Sequence, residues 1–132
     1  MSLKSKGTRA ERELLHLLFE NGWMPLRAAG SGSTTLPAVD LVAGNGKNIL
    51  AIECKSISGN KHYFDDEEIE QIEVFSRRFG AEPLIGVRFD NIGWYFIKLK
   101  DLVKGSGKNH FVSLESAQEK GFRFEDLLKR YK

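Results

Sequence analysis

The sequence predicts a mixed α/β sandwich, with a central sheet of about five strands flanked by α-helices. Three observations carry this. Two stretches place apolar residues at helical spacing and end at glycine, and five short stretches are apolar or alternating over strand length. They follow one another as helix, strands, helix, strands, with a short amphipathic segment at the end, an order that buries one sheet between helices.

The first helix is predicted from about Thr8 to Asn21, with Gly22 as its C′ residue. Leu14, Leu15 and Leu18 form its apolar stripe, and Glu11 extends that stripe by one turn. A carboxylate on a core-facing stripe is unusual, although a first-turn Glu leaning outward toward the helix dipole would also explain it. Met24 to Arg27 follows as a short strand, then a loop of small and hydroxyl residues from Ala28 to Thr35. Ala38–Ala43 and Ile49–Lys55 read as strands joined by the turn-rich Gly44-Asn45-Gly46-Lys47. A second helix starts near Asp65, which forms a D-x-x-E pair with Glu68, and stops at Gly80. Pro83–Phe89 and Gly93–Leu99 complete the sheet, and Phe124–Tyr131 is the closing helix. The run Trp94-Tyr95-Phe96-Ile97 is apolar on both faces, as a central strand or a strand covered by a partner molecule would be.

Composition fits one globular domain spanning 1–132: 41% of residues are hydrophobic and 29% charged, both ordinary values. The net charge of +2 leaves no general basic excess, so a nucleic-acid surface would need its Lys and Arg segregated to one side. One cysteine excludes an intrachain disulfide and a cysteine-rich zinc site, and suits a reducing cytoplasm. No stretch approaches 18 apolar residues, so no membrane association is expected.

Asp40 and the Glu53-Cys54-Lys55 triplet are the most informative residues. Side chains alternate along a strand, so Glu53 and Lys55 share a face, Cys54 is reversed into the core, and a paired neighbour brings Asp40 beside them. Two carboxylates and an ammonium at the ends of apolar strands are costly without a compensating ligand. A hard cation such as Mg²⁺ suits that role, because it binds through one or two carboxylates plus substrate phosphate. That is an arrangement for phosphodiester hydrolysis. The same pattern also describes a solvated hairpin with a salt-bridged Glu-x-Lys.

Taken with Lys6-Gly7, Glu11-Arg12-Glu13-Leu14, Arg27-Ala28-Ala29-Gly30-Ser31-Gly32-Ser33 and Phe79-Gly80-Ala81, the chain resembles the archaeal Holliday junction resolvases. These lie within the PD-(D/E)xK, restriction-endonuclease-like nucleases, and the resemblance covers about residues 4 to 97. It implies a single nuclease domain with Glu11, Asp40 and Glu53 as metal ligands and Lys55 orienting or activating the attacking water. Ser31 would approach the cleaved strand; Lys4, Lys6, Arg9, Arg27, Ser31 and Ser33 would contact DNA. Mg²⁺ is the implied cation, with Mn²⁺ able to substitute. The implied substrate is a four-way DNA junction, cut by a homodimer with paired nicks during recombination and repair. Recombination or replication proteins are the candidate protein partners. Trp94 to Ile97 is the candidate dimer interface, equally readable as an internal strand. One departure is Val39, where the family usually has Pro. The alternatives are another endonuclease of this fold, or a structure-specific DNA-binding module without activity. The intact Glu11, Asp40, Glu53 and Lys55 argue against the second.

Overall fold

The computed structural model describes residues 3–28 and 34–132, with side chains described from Lys6 onward. Its elements run α1 (Leu3–Glu20), β1 (Met24–Arg27), β2 (Leu41–Gly44), β3 (Ile49–Ile57), β4 (Lys61–Asp65), α2 (Asp66–Phe79), β5 (Glu82–Phe89), β6 (Gly93–Ile97), β7 (Val103–Lys104), β8 (Asn109–Ser113), α3 (Leu114–Lys120) and α4 (Phe124–Arg130). A 3₁₀ turn, Leu99–Asp101, follows β6.

Five strands form a mixed sheet in the order β1-β2-β3-β5-β6. Among the described strands only β3 and β5 pair in parallel, joined by a crossover through β4 and α2. The second sheet, β4-β8-β7, is small and antiparallel. The strand alternation of β3 divides the core in two. Leu50, Ile52 and Cys54 join Leu14 and Leu18 of α1; Ala51 and Ile57 join Ile72 of α2 and Phe64 of β4. Each fully buried Leu or Ile in these layers contributes about 1.5–3 kcal/mol by leaving water.

Both principal helices stop where their glycines permit. Gly22 and Gly80 take φ of 89° and 81°, a region other residues enter at a steric cost. Asp65 caps α2 by accepting from the Glu68 amide at 2.8 Å. The start of α1 differs from expectation: it begins at Leu3, not Thr8. Gly7 does not break the helix, and Lys6 is tied to Asp90 at 2.6 Å on the β5–β6 turn, which holds the extra turn in place.

The Trp94–Ile97 assignment is corrected. Strand β6 lies at one edge of the five-stranded sheet, not at its centre, and Trp94, Phe96 and Ile97 are buried by this chain itself. Phe122 and Phe124 pack against Phe96, while Phe96 and Phe122 exchange two backbone hydrogen bonds of 2.7 and 2.8 Å. The chain's own packing therefore accounts for the apolar run. The sequence reading also omitted β4, β7, β8 and α3. No helix among the described residues is long and apolar enough to cross a membrane.

Candidate active site

Asp40 lies one residue before β2, at the C-terminal half of β3 and near the first helix. Its position is fixed by a reciprocal exchange. The Asp40 amide donates to Glu53 Oε1 at 3.2 Å, and the Cys54 amide donates to Asp40 Oδ2 at 2.8 Å. Each acidic side chain thus occupies a place that a ladder hydrogen bond would otherwise fill, which explains why β2 starts at Leu41 instead of Ala38. The Asp40 carbonyl accepts from the Ala28 amide at 2.8 Å, anchoring the far side.

Glu53 and Lys55 share a face as expected, with Lys55 Nζ 3.9 Å from Glu53 Oε2. Cys54 turns to the opposite side, into the α1 layer. Burial first, and then the neighbouring Asp40 charge, raise the Glu53 carboxyl to about 8 against the opposing pull of Lys55. Protonated Glu53 shares a side-chain hydrogen bond with Asp40. Glu11 reaches the cluster from α1; its pKa is also raised, first by burial and also by Asp40, against the hydrogen bond from Arg27. That bond, Arg27 Nε to Glu11 Oε1, is 2.8 Å long.

The donor set is entirely hard oxygen, and the burial and mutual repulsion that raise Glu53 and Glu11 would be offset by a hard divalent cation. Asp40 and Glu53 converge as candidate ligands. Glu11 is engaged by Arg27, and among the described residues no three acidic, imidazole or thiol groups close into a ligand set. The remaining coordination would fall to water and phosphate oxygens, the usual habit of Mg²⁺.

Of the expected phosphate contacts, Lys6 pairs with Asp90, Arg27 with Glu11, and Arg9 is exposed on α1. Ser31 and Ser33, and the Lys4 side chain, lie outside the described residues. Two side chains on β4 were missed. Lys55 Nζ stands 5.8 Å from the centre of the buried Phe64 ring, and His62 meets that ring edge-on at 4.8 Å. Burial, and then the Lys55 charge, lower the His62 pKa, so the wall behind Lys55 is uncharged at neutral pH. Tyr63-Phe64, two good strand formers followed by the Asp65 cap, was the available signal.

The five-stranded sheet, its helices and this acidic cluster define a domain of the restriction-endonuclease-like α/β class. Residues 2–132 match the family model described as archaeal Holliday junction resolvase (hjc), and the chain belongs to that family. It is 36% identical over 129 residues to the crossover junction endodeoxyribonuclease Hjc of Archaeoglobus fulgidus, covering 98% of this chain and 93% of that protein. It is 38% identical over 107 residues to the protein of the same name from Methanocaldococcus jannaschii, covering 81% and 75%. The 1.6 Å structure of Archaeoglobus fulgidus Hjc, a Holliday junction resolvase from an archaeal hyperthermophile, matches with a TM-score of 0.85 at 34% identity. That match covers 92% of this chain and 99% of the other.

Proposed function

We propose that this chain is an endonuclease that resolves four-way DNA junctions by paired symmetric nicks, acting as a homodimer in recombination and repair. The observation that carries the reading is the reciprocal hydrogen bonding that locks Asp40 against Glu53, with Lys55 beside them. Asp40 and Glu53, with Glu11 completing the acidic set as the resemblance implies, would hold Mg²⁺, with Mn²⁺ as a substitute. Bound there, the ion would supply Lewis-acid polarisation of the scissile phosphate and a more acidic water. Lys55, backed by Phe64, orients the attacking water and steadies negative charge on the phosphate. Glu11 holds Arg27 at the mouth of the site, where the guanidinium can meet a backbone phosphate. Ser31 and Ser33 are assigned to the cleaved strand by family resemblance.

A two-fold symmetric junction is best met by two copies related by a two-fold axis. With β6 covered, the face carrying α2 is the better surface. By strand register Met24 and Leu26 share that face with Val42 and Ala51, and both are about two-thirds exposed, at 67% and 69%. Leu36 and Phe79 are exposed as well and line one groove with Phe75, on which Phe79 stacks. Phe79→Glu should halve the mass measured by light scattering.

The test of function is cleavage of a synthetic four-way junction beside a linear duplex of equal length, with Mg²⁺ and with EDTA. Paired nicks in the junction alone, lost in EDTA, are expected. Asp40→Asn should bind the junction without cutting it. Equal cutting of the duplex would indicate a different endonuclease, and junction binding without cutting by the natural chain would indicate a binding module.

A further inference from the structure

Resting on the nuclease reading above, we infer that Arg88 and Ser56 extend the phosphate contacts already expected of Lys6 and Arg9 into a defined DNA-phosphate subsite on the α1 face of the sheet, held ready by Glu13 and Asp90. These six residues line a cavity of about 230 Å³ on the side of the sheet opposite Glu53 and Lys55. Strand alternation puts it there. Ser56 follows Lys55 on β3 and therefore points the other way, beside Arg88, its register partner on β5. One strand end thus presents the catalytic pair to one face and a hydroxyl between cations to the other. A DNA backbone passing over this end meets both.

The cations are held in a defined way. Arg88 Nε donates to Glu13 Oε1 at 2.9 Å, and that same oxygen accepts from the buried Trp94 indole at 2.8 Å. Glu13 is therefore fixed from two sides, and it aims the guanidinium. Lys6 donates to Asp90 at 2.6 Å, with side chains 26% and 33% exposed. Ion pairs this open to solvent contribute little net stability, so a phosphate can take the place of the Asp90 carboxylate at small cost. Arg9 is exposed and forms no ion pair among the described residues. A planar guanidinium, an ammonium and a hydroxyl around one opening suit the oxygens of a phosphodiester. Asp90 occupies the place of that phosphate while DNA is absent.

The experiment is binding of a fluorescent four-way junction in EDTA, where nothing is cut, from about 50 to 200 mM salt. Arg88→Gln should weaken binding about tenfold by losing a charge-assisted contact. It should also flatten the slope of log affinity against log salt by about 0.9, the share of one neutralised phosphate. Asp90→Asn should do the opposite, tightening binding and steepening the slope, an effect that loss of folding cannot imitate. Unchanged affinity and slope in Arg88→Gln, with normal junction binding by the natural chain, overturn the subsite alone. Weaker binding by Asp90→Asn overturns the exchange of its carboxylate for phosphate. Failure of the natural chain to bind the junction overturns the nuclease reading, and the subsite with it.

Discussion

Replacing Glu53 by Gln should make the metal-free protein more stable, and only at neutral to alkaline pH. In the folded chain the Glu53 carboxyl is raised from 4.5 to about 8, by burial first and by Asp40 second. Between those values the native state binds more protons than the unfolded chain. Stability therefore falls as pH rises from about 4.5, and the loss is complete above about 8. At about 1.4 kcal/mol for each tenfold difference in proton affinity, the full interval corresponds to an upper bound of about 5 kcal/mol. Water entering the cleft as the carboxylate ionises reduces this, so Glu53→Gln should gain about 2–5 kcal/mol at pH 9 and almost nothing at pH 4. Urea unfolding of both proteins in EDTA, from pH 4 to 9, measures the difference directly, and titrations elsewhere cancel in the comparison. Adding Mg²⁺ at about a hundred times its dissociation constant should return about 2.7 kcal/mol to the natural chain at pH 9, and less to the variant. Parallel pH profiles for the two proteins without Mg²⁺ would refute the reasoning, since Glu53 would then be ionised in the folded state without penalty.

Other outcomes follow from single contacts. Glu11→Gln should stop junction cleavage and leave binding intact in a gel-shift assay; normal cleavage would reduce Glu11 to an anchor for Arg27. Gly121→Ala should destabilise by about 1–3 kcal/mol in urea unfolding, because its Cβ would lie 2.7 Å from the Ala117 carbonyl oxygen and 2.8 Å from that of Phe96. Cys54, whose thiol pKa is pushed up by burial, should resist iodoacetamide at pH 8 until the protein unfolds, which mass spectrometry would detect; rapid labelling of the native chain would contradict its place in the α1 layer.

The placement of the candidate site residues was legible because strand alternation is a local property. Placing Glu53 and Lys55 on one face with Cys54 reversed needs only the period of two, and the turn at Gly44–Lys47 suffices to bring Asp40 opposite. The α2 boundaries were legible for the same reason, since Asp65 and Gly80 act on their own helix ends. What failed depended on distant chain. Trp94–Ile97 is apolar on both faces because Phe122, Phe124 and Ala117 arrive from far along the sequence to cover an edge strand. Strand β7 has two residues, too few to show any period. The ion pairs of Arg88 with Glu13 and Lys6 with Asp90 join residues 75 and 84 positions apart, a separation that no spacing rule reaches.

The two backbone hydrogen bonds between Phe96 and Phe122 also close part of one margin of the sheet. A sheet with two open edges can add neighbours at both and grow into a fibre. Here the β6 edge is occupied by the chain's own Phe122, while β1, at the other margin, pairs only with β2 among the described residues. The C-terminal segment thus guards that margin. Displacing it would bare the Phe96 backbone groups and leave an open strand edge, a template for edge-to-edge aggregation.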